Sequence, residues 1–301
     1  MRSWLSRRRP FFSYQAKLWL LLTPYLLGTL VLVALPALAT VVIAFTTYYA
    51  IRPAVWAGLD NFQRLWVSPV IRLSLQNSLL FLVMAVPLRL LGALLLALLL
   101  QRRRRLFGAL RAAVYLPTIV PEAAYALIWL WIFNPVSGPL NIILSGLGLP
   151  APAWLAEPGT ARLAIVILSA FQIGEGFVVV LAGLQSIPRS LYESAAIDGA
   201  NAWQSFWRIT LPLIAPWLLL LTFRDMLVSL QNTFTPTFIL TYGGPYYATT
   251  FMPLMTYELF YDIADFGLAS AYLVIAYIMI GLLIFGIYNI VVGLRGGTDD
   301  V

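Results

Sequence analysis

Polar and acidic side chains recur at helical spacing inside segments that are otherwise strongly apolar. Asp225, Ser229 and Asn232 follow one another at i, i+4 and i+7, so they share one face of a helix. Carboxylates, amides and hydroxyls on such faces can hydrogen-bond a polar solute, and Tyr125 or Trp129 could stack on a sugar ring. We therefore predict a solute pathway built from three segments. Its predicted lining residues are Thr118, Glu122, Tyr125, Ser169, Gln172, Asp225, Ser229 and Asn232.

Internal charge pairing is a second interpretation of the same residues. Arg89 and Arg224 lie near the middle of apolar segments and could neutralise Glu122, Glu175 or Asp225 on neighbouring helices. An unpaired charge at membrane depth costs ~2.5–3.5 kcal/mol on insertion scales, so pairing would be favoured. From the sequence, both interpretations stay open.

The composition excludes several kinds of chemistry. The 301 residues include no cysteine and no histidine, which excludes thiol catalysis, disulfides, Ser–His–Asp catalysis and zinc sites built on Cys or His. We therefore expect no catalytic residue and no metal site. Hydrophobic residues make up 61% of the chain and charged residues 10%, whereas a soluble domain is ~45–50% apolar. This balance predicts a membrane protein.

Six apolar blocks are long enough to cross a bilayer as helices, which takes about 20 residues. Prolines such as Pro117 and Pro121 lie inside blocks, which membrane helices tolerate because neighbouring groups satisfy the freed backbone. The sequence thus predicts a single-domain, all-α polytopic membrane protein with six transmembrane helices. The predicted spans are 18–46, 76–100, 112–133, 162–186, 212–240 and 267–293.

The distribution of basic residues predicts the orientation. With the N-terminus inside, the cytoplasmic segments hold 13 Lys and Arg residues and the external segments hold 4, so both termini are expected in the cytoplasm. The basic segment Met1–Pro10 then precedes a retained first helix rather than a cleaved signal peptide. Arg102–Arg105 is interpreted as an anchor between two spans, and no nucleic-acid partner is expected. The external segments are 47–75, 134–161, with a short interfacial helix near 140–147, and 241–266.

The cytoplasmic segment 187–212 is too long to be a simple turn between two spans. Pro188 can begin a helix, and Gly199 can end it because glycine adopts the left-handed conformation at little cost. Asn201 can cap a second helix with Gln204 at its third position. Small side chains here would let another protein approach closely, although a partnerless helix on the membrane surface has the same spacing.

The same segment resembles the EAA loop of permease subunits in binding-protein-dependent ATP-binding-cassette importers. The family pattern is Glu-Ala-Ala, Asp-Gly-Ala and Ile-x-Leu-Pro. Here it reads Glu193-Ser194-Ala195-Ala196, Asp198-Gly199-Ala200 and Ile209-Thr210-Leu211-Pro212, and Ser194 is the departure. In that family the loop docks into a groove of the ATPase subunit. The resemblance therefore implies an ATPase-coupling role for Glu193, Ser194, Ala195, Ala196, Asp198, Gly199, Ala200 and Phe206.

Other passages resemble the carbohydrate branch of that family, the maltose and glycerol-phosphate type. These passages are Gly58-Leu59-Asp60-Asn61-Phe62, residues 102–121 and Leu184-Gln185-Ser186-Ile187-Pro188. The resemblance covers essentially the whole chain. It implies the fold of a type I importer permease (the MetI-like fold), location in the inner membrane, and a mid-membrane sugar site near the predicted pathway residues.

The resemblance also implies partners. No Gly-x-x-x-x-Gly-Lys-Ser/Thr run occurs, so ATP and Mg²⁺ are expected on two separate ATPase subunits and no cofactor is expected on this chain. A second similar permease, an external solute-binding protein and membrane lipid complete the set. The implied function is import of a sugar or related polar solute by alternating access.

Two other classes of function are considered. An ion-coupled secondary transporter would show inverted repeats and broken helices, neither of which the sequence reveals. An intramembrane enzyme could pair carboxylates from Glu122, Glu175 and Asp225, although the lack of His and Cys leaves it few nucleophiles.

Overall fold

The computed structural model describes residues 13–101 and 105–296. Over these residues the chain is mostly helical, which confirms the predicted class, and one short β-hairpin adds to it. The basic segment 1–10 and Arg102–Arg104, on which the orientation prediction partly depends, lie outside the described residues.

The apolar blocks form the long helices, and shorter helices connect them. The helices are α1 (Tyr14–Ile43), α2 (Asp60–Val67), α3 (Pro69–Leu100), α4 (Arg105–Ile119), α5 (Glu122–Ile132), α6 (Pro139–Gly146), α7 (Pro158–Ala170), α8 (Gly174–Ser186), α9 (Arg189–Ile197), α10 (Ala202–Leu240), α11 (Met252–Tyr257) and α12 (Phe266–Gly296). Strands β1 (Thr46–Tyr49) and β2 (Arg52–Trp56) pair antiparallel. One π-helical turn, Glu258–Asp262, follows α11 directly.

Among the residues that the structure describes, four helices are long and apolar enough to cross a membrane, namely α1, α3, α10 and α12. The bent pairs α4–α5 and α7–α8 bring the number to 6 if each pair is one span. The predicted short helix near 140–147 is confirmed as α6. The six-block reading of the sequence therefore corresponds to six helical units, two of which are broken.

The third predicted span, 112–133, is not one continuous helix. Its two halves, α4 and α5, meet at an angle of 102°. Pro121 has extended backbone with ψ 135° and its carbonyl begins α5. Proline disfavours helical backbone in the residue before it, Val120, so the chain turns here instead of kinking gently. The expectation that Pro121 sits inside a helix was wrong, whereas Pro117 does lie inside α4.

The fourth predicted span, 162–186, is also broken. Helices α7 and α8 are bent by 46° across Phe171–Ile173. Gly174, the first residue of α8, contacts α4 so closely that a β-carbon would lie 2.9 Å from the side chain of Thr118. The missing side chain lets α8 begin against α4. The sequence predicts unbroken helices, which would count against a secondary transporter. That expectation was wrong, because two of the helical units are broken.

Helix α3 lies at the centre of the bundle. It packs against α7, α8 and α10, and its buried face includes Phe81, Ala85 and Ala93. By contrast, α1 has no buried residue along its whole length, although its C-terminal part contacts α12. An apolar helix with so little cover must face lipid or another protein.

The hairpin and α2 are joined to the start of α12 by a buried polar network. Asn61 is fully buried, and its side-chain amide donates to the carbonyl oxygens of Ala44 and Thr46 at 3.0 and 2.8 Å. Arg64 donates to Asp265 at 2.7 Å, and Asp265 also accepts from the backbone of Leu268 in the first turn of α12. These bonds fix the N-terminal end of α12 on the hairpin.

We expect Gly267→Ala to destabilise the protein by about 1–3 kcal/mol, the usual cost of overpacking a well-packed site. A β-carbon at residue 267 would overlap the carbonyl oxygen of Thr46 and lie 3.0 Å from the Asn61 amide. Gly281→Ala in the same helix is the control, because nothing lies within 4 Å of its β-carbon position. The unfolding temperature in detergent should fall for Gly267→Ala and stay unchanged for Gly281→Ala. Equal unfolding temperatures of the two variants would contradict the close packing of residue 267 against the Asn61 network.

Candidate functional site

Segment 187–212, which the sequence predicts to be cytoplasmic, has the local structure that its sequence predicts. Helix α9 begins directly after Pro188, and Gly199 follows it with φ +81°. Asn201 and Gln204 form a reciprocal capping box at the start of α10, with both bonds 2.9 Å long. A π-helical turn, Phe206–Thr210, then leads into the membrane part of α10 without a break. The second half of the segment is therefore continuous with a membrane helix, and α9 is joined to it by the turn at Gly199.

Most of the predicted coupling residues are available to another protein. Helix α9 has no buried residue, and its apolar side chains Leu191 and Ile197 are 42% and 87% exposed. The exposed members of the predicted set are Glu193, Ser194, Ala196, Asp198 and Gly199, and the half-buried members are Ala195 and Ala200.

Phe206 has a different position from the rest of that set. It is half-buried and packs, together with Tyr192, against the buried cluster that α3, α8 and α10 share. The Tyr192 hydroxyl lies 2.8 Å from the Thr210 hydroxyl. Phe206 and Tyr192 therefore hold the segment on the bundle, and contact with a partner falls to the exposed residues of α9.

At the centre of the bundle, Arg89 of α3 pairs with Asp225 of α10. Arg89 is 8% exposed, and its Nε lies 2.9 Å from Asp225 Oδ2. A terminal nitrogen of Arg89 also donates to the Ser229 hydroxyl, one turn further along α10. Asp225 and Ser229 thus share a face, as predicted, but that face binds a buried arginine.

A second ion pair joins Arg224 of α10 to Glu175 at the start of α8. Both side chains are about half exposed, at 43% and 51%. The pairing interpretation is therefore confirmed for Arg89 with Asp225 and for Arg224 with Glu175. Together the two pairs connect α3, α8 and α10 beside the break between α7 and α8.

Two small clefts adjoin these ion pairs and share Arg89 and Gln172. One is also lined by Glu175, Arg224 and Asp225. The other is lined by polar groups from α7 and α10, which are Ser169, Ser229, Asn232 and Thr233. Their volumes of about 30 and 10 Å³ suit one or two water molecules. The structure thus brings five predicted pathway residues together, in clefts that do not hold a sugar ring: Ser169, Gln172, Asp225, Ser229 and Asn232.

The α4–α5 residues of the predicted pathway lie elsewhere. Tyr125 is 5% exposed, and its hydroxyl donates to the Leu168 carbonyl oxygen at 2.8 Å. Trp129 is 7% exposed and packs on Tyr125, so the expectation that these rings stack on a sugar was wrong. The two rings point into the core because α5 begins after the sharp turn at Pro121. Thr118 is half-buried and bonds to its own helix, at the Tyr115 carbonyl.

Glu122 is exposed at the start of α5, where it accepts a hydrogen bond from Thr235 at 2.9 Å. Sequence reasoning missed Thr235 and also Thr233, whose buried hydroxyl has no hydrogen-bond partner within the described part of the chain. The signal was present, because Thr233 and Thr235 lie one and three residues after Asn232, which the sequence already placed in the predicted pathway. An unpartnered hydroxyl lining a cleft is suited to hold water or a solute group.

Sequence reasoning also left the external Arg64–Asp265 pair unassigned. Partial burial lowers the pKa of the Arg64 guanidinium, but its hydrogen bond to Asp265 and the charge of Asp265 outweigh burial, so the pKa is raised overall. This pair joins α2 to the start of α12 and stands apart from the central clefts.

A mostly helical bundle of four to six apolar spans, with paired charges at its centre and an exposed helix at one end, has the architecture of a polytopic membrane protein. Residues 89–293 match the family of binding-protein-dependent transport system inner membrane components. The chain belongs to that family and is a permease of its kind, as the EAA-type segment predicts.

Curated relatives match along nearly their whole length. The trehalose/maltose transport system permease protein MalF of Thermococcus litoralis is 34% identical over 277 residues, which cover 88% of this chain and 90% of the relative. The lactose transport system permease protein LacF of Rhizobium radiobacter is 30% identical, covering 90% and 93%. A chain from the crystal structure of a bacterial importer of the acidic polysaccharide alginate has a TM-score of 0.78 at 25% identity, covering 91% and 94%.

Proposed function

We propose that this chain is the permease subunit of an ATP-driven importer for a sugar or related polar solute. One observation carries the proposal. The second half of segment 187–212 is the start of α10, and α10 also carries Asp225, Ser229 and Asn232 at the centre of the membrane part. A partner that moves the segment therefore moves the polar face, because a helix transmits displacement along its axis. The relatives named for sugars support the solute class.

Separate ATPase subunits bind ATP and Mg²⁺ and grip α9. The exposed apolar side chains Leu191 and Ile197 are suited to fill a groove, and the small residues Ala196 and Gly199 permit close approach. Closure of the ATPases on ATP then turns α10 and switches the solute site from one side of the membrane to the other. Both termini lie in the cytoplasm in this arrangement.

A second permease subunit completes the solute site. The central clefts of this chain are too small for a sugar, while Glu122, Glu175 and Arg224 are exposed beside them. Half-exposed charges near the middle of a membrane protein need a polar neighbour rather than lipid. The external solute-binding protein docks on segments 47–75, 134–161 and 241–266.

Uptake should depend on ATP and not on an ion gradient. We expect proteoliposomes that hold the chain with its partner permease and ATPases to import sugar when binding protein is outside and ATP is at the ATPase side. Import should continue after ionophores collapse all ion gradients, and radiolabelled sugar measures it. Uptake that persists without ATP while an ion gradient is held would support the ion-coupled alternative and overturn the proposal.

A further inference from the structure

An exposed set of aromatic rings lies between α10 and the helix that follows it. Phe234, Phe238 and Tyr242 are spaced i, i+4 and i+8, at the end of α10 and just beyond it, so they follow one face. Tyr257 and Tyr261 stand opposite them, on α11 and the π-helical turn after it. We call these five residues the aromatic ladder.

The rings of the ladder form a continuous series of contacts. Along α10, the ring centroids of Phe234 and Phe238 are 5.4 Å apart and those of Phe238 and Tyr242 are 5.1 Å apart. Tyr257 packs across on both Phe234 and Phe238, at 5.3 and 5.6 Å, and Tyr261 continues the series at 5.0 Å. Because four residues of helix rise about 6 Å, Phe234 and Phe238 are about 6 Å apart along α10, and Tyr242 continues the series just beyond the end of the helix.

Exposure increases along the ladder. Phe234 and Tyr257 are half-buried, Phe238 is 37% exposed, and Tyr242 and Tyr261 are 53% and 75% exposed. The inner end lies next to Thr235, whose hydroxyl bonds to Glu122, and two residues from Asn232 of the central cleft. The ladder therefore leads from the external face to the polar centre of the bundle.

Polar groups accompany the rings at the outer end. The Tyr242 hydroxyl donates to Asp262 at 3.2 Å, and Asp262 is itself exposed. This mixture fits a saccharide, because the C–H face of a pyranose is apolar and weakly positive, like the groups that aromatic faces attract, while its hydroxyls seek acceptors such as a carboxylate. The exposed ring faces and the neighbouring carboxylate and hydroxyl groups therefore offer a sugar both kinds of contact on one surface.

We propose that the aromatic ladder is a stacking track along which a saccharide passes from the external face to the central site. The proposal rests on the proposed function and adds a binding surface to it. The ring faces provide weak, repeated contacts that let the solute advance, since each contact is similar to the next. Sugars with more rings cover more of the track and depend on it more strongly.

The test uses the complete transporter in proteoliposomes, with external binding protein at saturation and ATP at the ATPase side. The probes are radiolabelled maltose, trehalose, lactose and maltotriose, and the measured quantity is sugar imported per ATP hydrolysed. We expect Phe238→Leu and Tyr261→Leu each to lower import about fivefold. This is the change that follows from losing one ring contact of roughly 1 kcal/mol. The loss should be greater for maltotriose than for maltose wherever both are imported.

Phe238→Tyr is the matched control, because it keeps the ring face and should keep near-normal import. If the ladder were a protein interface, Phe238→Leu would lower the import of every sugar by the same factor, whereas the track predicts a greater loss for maltotriose than for maltose. Import by Phe238→Leu equal to wild type, or equal losses in Phe238→Leu and Phe238→Tyr, would overturn the track and leave the proposed function intact. If the wild-type transporter imports none of the four sugars, the sugar function and the track fail together.

Discussion

Arg89→Met is expected to destabilise the protein by about 3–5 kcal/mol, the largest effect on stability that we predict. The substitution removes the partner of Asp225, whose side chain is only 17% exposed and lies between α3 and α10. A carboxylate buried in a low-dielectric interior has lost its hydration, and without Arg89 no opposite charge compensates for that loss. The hydroxyl of Ser229 also loses the donor that it has in the native protein. Thermal unfolding of the purified chain in detergent or nanodiscs measures the loss.

Two controls separate pairing from packing. The double variant Arg89→Met with Asp225→Leu should recover most of the loss, because replacing both members of a buried pair by apolar groups is often nearly neutral. Arg224→Met removes the partner of Glu175, but that pair is about half exposed and should cost about 0–1 kcal/mol. A double variant no more stable than Arg89→Met alone would show that the ion pair is not what holds α3 and α10 together.

The cytoplasmic segment could be predicted in detail because its signals are local. A proline at the start of α9, a glycine with φ +81° after it, and Asn201 with Gln204 three residues later each specify the backbone within one turn. No contact with a distant part of the chain is needed. The helical periodicity of Asp225 and Ser229 was likewise sufficient to place both side chains on one face.

The features that the sequence did not predict correctly depend on tertiary contacts. The sharp turn at Pro121 directs Tyr125 and Trp129 into the core, and hydropathy alone cannot distinguish a bent pair of helices from one span. The choice of Asp225 for Arg89, and of Glu175 for Arg224, depends on how α3, α8 and α10 pack. The two strands of the β-hairpin are short and show no clear alternation of apolar and polar residues, so the sequence alone does not reveal them. Their position depends on the hydrogen bonds of Asn61.

Charge substitutions in the exposed segment should uncouple ATP hydrolysis from import. We expect Gly199→Asp and Glu193→Lys each to lower solute-stimulated ATP turnover and sugar uptake roughly 10-fold or more, the equivalent of 1.4 kcal/mol or more at the contact. A β-carbon at residue 199 meets nothing within 4 Å in this chain, so the added bulk faces only the partner. Glu193 is exposed, and no ion pair holds it within the described part of the chain.

Backbone strain needs its own control, because any side chain at φ +81° is disfavoured. Gly148→Asp introduces an aspartate at another exposed glycine with a positive φ, +71°. A β-carbon at residue 148 also meets nothing within 4 Å. The two variants should lower the unfolding temperature by similar small amounts. A much larger loss of stability in Gly199→Asp would mean that its transport defect reports misfolding and not a lost contact.

The most direct test of the account asks whether α9 touches a separate ATPase. The chain has no native cysteine, so Ala196→Cys carries a single thiol on the exposed helix. In the assembled transporter, a short bifunctional thiol reagent should cross-link residue 196 to the ATPase subunit, with a yield that changes when ATP is bound. Ile51→Cys on the external hairpin turn, 97% exposed, should give no such product. A thiol at residue 196 that is labelled only by membrane-surface probes, with no cross-link in any nucleotide state, would contradict the account.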